Sequence, residues 1–167
     1  IPGIYSPLTE KIYYPSLCKF FDRLEKELSV RVVIASHPKS GHDRFPDYFG
    51  KRETVQGKTF ELIRQSKFVI NRNSTSLNFA IILNKPVIFH TSSEVETYPP
   101  LANQIRSMAH MLGKNPINID HSLDIDWLKE LNVDETTYTK YKNSFIKKEG
   151  TKEVYLWQTV ADMLKEI

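Results

Sequence analysis

The chain is 167 residues long, enough for one domain with a sizeable core and at most an appended tail. Hydrophobic residues make up 40% and charged residues 26%, ordinary globular values that exclude a low-complexity or disordered chain. The 23 basic and 20 acidic side chains leave a net charge of +3, too small to indicate nucleic acid, and no apolar run approaches bilayer-spanning length.

Cys18 is the single cysteine, which excludes an internal disulfide and fits a reducing, cytoplasmic compartment. It falls in an amphipathic stretch and reads as a small buried side chain rather than a nucleophile. The sequence opens Ile1-Pro2-Gly3, with neither an initiator Met nor a signal-like segment, and is read as a piece of a longer protein.

The first dozen residues are punctuated by Pro and Gly and read as irregular. Apolar side chains at Tyr14, Leu17, Phe20, Phe21, Leu24 and Leu28 predict a helix that stops at Ser29. The continuous β-branched run from Val30 to Ala35 predicts a strand buried on both faces. A long polar loop then covers Lys39 to Arg52. Thr54-Val55 forms a short strand, and Gly57-Lys58-Thr59 opens a helix through Phe60, Leu62 and Ile63, with Thr59 as its cap. Phe68 to Asn71 is a strand. Leu77 to Leu83 reads as a helix hydrophobic nearly all round, hence buried.

Val87 to Phe89 is a further strand, and Thr91 to Pro100 a polar loop. Leu101 to Leu112 has helical spacing closed by Gly113, and Pro116 to Ile119 forms a last short strand. Asp124 to Ile167 is helical throughout. Helices alternating with short β-rich runs predict an α/β fold, a Rossmann-like open parallel sheet of about five strands with helices on both faces and a helical C-terminal tail. Residues 1–122 would form the Rossmann-like nucleotide-binding domain and 123–167 a helical extension packed on it.

In such sheets ligands sit outside the carboxyl ends of the strands. Two motifs directly follow strands here. In His37-Pro38 the proline holds His37 extended, so that the imidazole can point into a crevice and donate to a phosphate or ribose oxygen. Ser74-Thr75-Ser76 supplies three hydroxyls at a helix start, where unpaired N–H groups and the peptide dipoles favour an anion. His37, Pro38, Lys39, Ser74, Thr75 and Ser76 are therefore the candidate phosphate site. Lys58 and Glu94 are secondary candidates for ribose or sugar contact, Glu96 sharing the same loop.

The basic group Lys39, Arg44, Lys51, Arg52 and Lys58 reads as a solvated face rather than an anion funnel. Position 52 is Arg where a Walker A loop needs Gly, and no G-x-G-x-x-G occurs. His37, His42 and Asp43 fit no standard zinc spacing, so no metal is expected. Trp127, Tyr138, Tyr141 and Trp157 lie at helical spacing and are read as core or interdomain surface.

His37-Pro38, Ser74-Thr75-Ser76 and Asn84-Lys85-Pro86-Val87-Ile88 together resemble the C-terminal, donor-nucleotide half of GT-B glycosyltransferases. The likeness, over roughly residues 30 to 95, is to bacterial surface-polysaccharide sialyltransferases and Kdo transferases that use CMP-activated sugars. CDP-glycerol glycerophosphotransferases share a similar strand-Ser-Ser-helix-Lys-Pro pattern.

The resemblance implies that this half binds a nucleotide-sugar donor, with His37 and the 74–76 turn on phosphate and no cofactor or metal. The acceptor site, and usually the catalytic acid or base, would lie in an N-terminal half, and the acidic motif of sialyltransferases has no counterpart in Ile1 to Ser36. The chain alone is thus expected to be catalytically inert and to bind a cytidine nucleotide weakly. Its site would be cytoplasmic, with room for peripheral membrane association of the parent protein. Two other readings stay open: a non-catalytic module docking through its aromatic C-terminal helices, and half of a nucleotide-sugar epimerase.

Overall fold

The computed structural model describes residues 8–37, 46–121, 124–151 and 154–165. The chain is α/β. Helix α1 (Glu10–Leu28) leads into strand β1 (Ile34–Ser36), a 3-10 turn (Pro46–Phe49), β2 (Thr54–Gln56), α2 (Thr59–Gln65) and β3 (Val69–Asn71). Then come α3 (Leu77–Ile82), β4 (Val87–Thr91), α4 (Ser93–Glu96), α5 (Pro99–His110) and β5 (Ile117–Asn118). The C-terminal part holds α6 (Trp127–Glu130), α7 (Glu135–Tyr141) running into a π turn (Lys142–Ile146), and α8 (Leu156–Lys165).

Among the described residues all strand pairing is parallel, but the five short strands there form two groups: β1 with β2, and β3-β4-β5 in that order. The strand expected over Val30 to Ala35 shrinks to Ile34–Ser36 because its first residues are used otherwise. Val30 N–H bonds back to the Glu25 carbonyl, and Val32 N–H to the Glu25 carboxylate at 2.8 Å. Nor is β1 buried on both faces: Ala35 is exposed.

β4 has that character instead, with all five residues buried. Alternation sends Ile88 toward α1, where it joins Leu17, Phe20, Phe21, Leu24 and the partly buried Ile34 and Ile70. Val87 and Phe89 face the other way, against Leu77, Ala80, Ile81, Ala109 and Leu112. Helices thus cover both faces. Trp127 and Leu131 close the first layer, Tyr138 and Tyr141 the second. The Tyr138 hydroxyl donates to the Lys85 carbonyl at 2.9 Å and that of Tyr141 to Asn78 Oδ1 at 3.1 Å.

Helix boundaries follow local chemistry. α1 starts four residues before the expected Tyr14 and accommodates Pro15. It ends where Ser29 adopts a left-handed backbone, φ 49°. The polar segment 91–100, read as a loop, holds α4 and the start of α5. Ser92 caps α4 by accepting from Val95 N–H at 3.2 Å, and Pro99 occupies the first turn of α5, where its missing N–H costs nothing. Thr59 is the first residue of α2 rather than its cap, and Lys58 stands at the cap position without a side-chain bond.

α3 is not buried all round: Leu77, Ala80 and Ile81 face the core, while Phe79 and Ile82 are exposed and Phe79 packs edge-on against Phe60. Gly113, at φ 67°, ends the segment begun by α5 as its composition suggests.

Arg52 departs from the solvated face to which the sequence assigns it. Its side chain is 8% exposed and donates to Asp22 at 2.5 Å, Glu25 at 2.6 Å and the Phe49 carbonyl at 3.1 Å, with its guanidinium over Phe21. It ties the chain entering β2 to the middle of α1, and through Glu25 to the backbone leading into β1. Arg52→Ala should lower stability by about 2–3 kcal/mol, the scale of charge-assisted hydrogen bonds lost from a buried site. Asp22→Asn, at a largely exposed carboxylate, should cost less than about 1 kcal/mol. Urea unfolding midpoints of the two variants measure the difference.

Candidate functional site

Each group of parallel strands has one carboxyl edge, and the polar residues of interest collect there. His37 follows β1 directly and is exposed. Pro38 and Lys39 lie outside the described residues, as do His42 and Asp43. The Ser74-Thr75-Ser76 turn follows β3, with Ser74 and Thr75 exposed and Ser76 half-buried.

The turn is built differently from a bare helix start. Buried Asn71, the last residue of β3, clamps it: Ser74 N–H donates to Asn71 Oδ1 at 2.9 Å, and Asn71 Nδ2 donates to the Ser74 carbonyl at 3.1 Å. Ser74 and Ser76 hydroxyls share a 2.8 Å hydrogen bond, and Ser74 Oγ accepts from Ser76 N–H at 3.2 Å. The N–H groups of Leu77 and Asn78 bond to the carbonyls of Ser74 and Thr75. The expected row of unpaired N–H groups is therefore already satisfied within the turn. An anion here would meet side-chain hydroxyls and the exposed Thr75 rather than the end of α3.

Sequence reasoning passed over Arg72. It follows Asn71, is half-buried, and holds its guanidinium 5.3 Å from the centre of the Tyr13 ring. Position alone could have flagged it, since it is a cation directly after a strand that ends in the hydroxyl turn.

At the end of β4 stand buried His90, Thr91 and Ser92. The His90 ring lies between Tyr13 (6.5 Å between centres, nearly parallel) and Phe20 (6.4 Å), and its Nδ1 has no hydrogen-bond partner. Burial, reinforced by the positive charge of Arg72, pushes its pKa down to about 3. Burial also raises the Tyr13 phenol, with Arg72 partly opposing it.

Beyond β5, Asp120 accepts from Ser93 N–H at 2.6 Å. Burial alone would raise its carboxyl pKa, but this bond and those from the Ser16 and Ser93 hydroxyls outweigh it and leave the carboxyl below its ordinary value. Asp120 borders a groove of about 230 Å³ between α1 and the end of β5, with Ser16, Lys19 and Arg23 on the opposite wall.

The secondary candidates part company. Lys58 is exposed at the start of α2. Glu94 accepts from Thr9 N–H through both carboxylate oxygens, at 3.2 and 3.3 Å, and so anchors the start of α1. Glu96 accepts from the Thr91 hydroxyl at 2.8 Å and pairs with Arg106. Lys85, part of the Lys-Pro motif, donates to the Ser66 carbonyl at the end of α2 at 2.7 Å. Cys18 donates its thiol to the Tyr48 carbonyl, and burial raises its pKa, which disfavours the thiolate a nucleophile needs. Among the described residues no group of three or more His, Cys, Asp or Glu is placed to hold a metal ion. Among them, too, no helix is long and apolar enough to cross a membrane.

No protein-family model, curated protein or solved structure matches the chain.

His90 makes the carboxyl edge sensitive to acid. An unfolded-chain histidine titrates near 6.5, whereas this one holds its neutral form down to about 3. Between those values the unfolded chain binds a proton that the folded chain refuses. Stability should fall as pH drops from 6.5 toward 3, by up to about 1.4 kcal/mol per unit from this group. His90→Leu removes that contribution. Urea midpoints of variant and wild type should keep a constant offset above pH 7 and move in the variant's favour below it. An offset that stays constant down to pH 4 would contradict a neutral, buried His90.

Proposed function

We propose that this chain is the donor-binding part of a glycosyltransferase of bacterial surface-polysaccharide synthesis, using a nucleotide-activated, CMP-type cytidine donor. The carrying observation is the clamped, exposed hydroxyl turn at the carboxyl end of β3 with Arg72 beside it. Buried Asn71 holds the turn rigid, so the Ser74 and Thr75 side chains face solvent in fixed positions, while Arg72 supplies a permanent cation.

In this reading Ser74, Thr75, Ser76 and Arg72 hold phosphate oxygens, and His37 donates to a phosphate or ribose oxygen from the end of β1. As a glycosyl–phosphate bond breaks, negative charge grows on the leaving phosphate, and fixed donors with a guanidinium stabilise it where it forms. Pro38, Lys39 and Lys58 remain part of the proposed surround. Glu94 is a weaker candidate for sugar contact because its carboxylate already serves Thr9. The acceptor, and the group that activates it, belong to the N-terminal half of the parent protein, and the reaction would proceed in the cytoplasm.

A CDP-glycerol donor is the nearest variant, since the same turn serves a diphosphate. The aromatic tail favours a second reading only in part. Trp127, Tyr138 and Tyr141 are used internally, whereas Tyr155 and Trp157 are 88% and 78% exposed, as a docking module would have them.

Titration with CMP, CDP, UDP and GDP, followed by NMR, tests the proposal. Cytidine nucleotides should shift His37 and Ser74–Ser76 resonances together, which requires that both motifs meet one ligand. His37→Ala or Ser74→Ala should each weaken binding by about 1–3 kcal/mol, and Arg72→Gln by a similar amount. Shifts confined to one motif, or none with any nucleotide, would defeat the reading.

A further inference from the structure

Helix α8 has two faces with different fates. Gln158, Asp162 and Lys165 lie along one side and satisfy one another: Gln158 Nε2 donates to Asp162 Oδ1 at 2.9 Å, and Lys165 Nζ lies 3.6 Å from the same atom. The other side carries Trp157, Val160 and Leu164 at helical spacing, with Met163 beside them. Trp157, Met163 and Leu164 are largely exposed, as is Tyr155 just before the helix. An apolar stripe with aromatics at one end is thus left facing water.

The segment leading to it is basic. Between Glu135 and Glu149 stand Lys140, Lys142, Lys147 and Lys148, with no Asp or Glu. Lys140, Lys142 and Lys148 are exposed, and between them Phe145 projects 58% exposed from the π turn. Cations interleaved with exposed aromatic and aliphatic groups match a surface that is negative outside and apolar just beneath.

We propose that α8 and the Lys140–Lys148 segment dock this protein on an anionic phospholipid surface. α8 lies in the plane of the interface, its Trp157–Leu164 stripe sunk to the acyl boundary, while the lysines meet the headgroup phosphates. The ten described residues of α8 span about 15 Å and can lie along a bilayer surface. Charge decides for lipid over a second copy of the chain. Two tails packed together would crowd like-charged lysine segments, whereas an anionic bilayer satisfies stripe and lysines at once. The inference is independent of the donor reading, because no nucleotide takes part.

The test uses the whole 167-residue chain with vesicles of phosphatidylcholine alone and of phosphatidylcholine mixed with phosphatidylglycerol. Co-sedimentation should occur with the mixed vesicles and decline with added salt. In a Trp127→Phe background, Trp157 emission should shift to the blue on binding. Lys142→Gln and Lys148→Gln should each weaken partitioning about fivefold. Trp157→Glu with Leu164→Glu should reduce it by about tenfold or more. Equal binding to neutral vesicles, no binding to either kind, or indifference to the Trp157 and Leu164 changes would overturn the proposal. So would a dimer in sedimentation velocity that the same two changes dissolve, with vesicles ignored.

Discussion

The fold depends on burying β4 on both faces. A strand covered on one side by α1 and on the other by α3 and α5 has no solvent-facing side chains. Val87, Ile88 and Phe89 fill it with apolar side chains, His90 and Thr91 are buried at its carboxyl end, and both its edges need hydrogen-bonded neighbours. β3 and β5 provide the edges, both parallel, and parallel strands force the chain to cross back through helices. The carboxyl ends of β3, β4 and β5 consequently lie at one edge of that sheet. The clustering of Asn71, Arg72, His90, Thr91 and Asp120 follows from that topology.

This chain satisfies several polar groups at that edge with its own side chains. Asn71 spends its amide on the hydroxyl turn, Asp120 accepts from Ser93, and Thr91 donates to Glu96. His90 Nδ1 is the exception, buried between two aromatic rings without a partner. A neutral imidazole tolerates that position far better than an imidazolium, and the neighbouring guanidinium of Arg72 reinforces the preference. Depth on β4 thus decides the protonation of a residue that sits near the proposed ligand edge.

What could be read from the sequence was local. The apolar stripe of α1, its stop at Ser29, the end of β3 at Asn71 and the turn at Gly113 each have a short-range cause that neighbouring residues display, whereas β4 runs past the expected end at Phe89 to Thr91. What could not be read depended on partners distant in sequence. Arg52 looked like surface charge because Asp22 and Glu25 lie about thirty positions earlier. Val30 to Val33 looked like strand because nothing in their β-branched composition shows that the Glu25 carboxylate claims the Val32 amide. Lys85 reads only as part of the Lys-Pro entry into β4, and its ammonium in addition closes the end of α2. Glu94 is committed to Thr9, 85 positions away. The 74–76 turn is legible in the sequence, but its internal bonding depends on Asn71, three residues before Ser74.

That internal bonding changes how a phosphate would be held. A helix start binds anions through N–H groups with no other acceptor. At α3 those groups are occupied by Ser74 and Thr75 carbonyls and by the Ser74 hydroxyl, so helix-end binding would first have to break bonds. Side chains carry no such cost. Of the two hydroxyls in the Ser74–Ser76 bond, the one that accepts keeps its own proton to point outward, and Thr75 is exposed. Selectivity would then come from the geometry of a hydroxyl turn clamped by Asn71, a surface better matched to a compact phosphate ester than to a long polyanion. The small net charge of the chain points the same way, since it provides no broad positive field to draw a polyanion in.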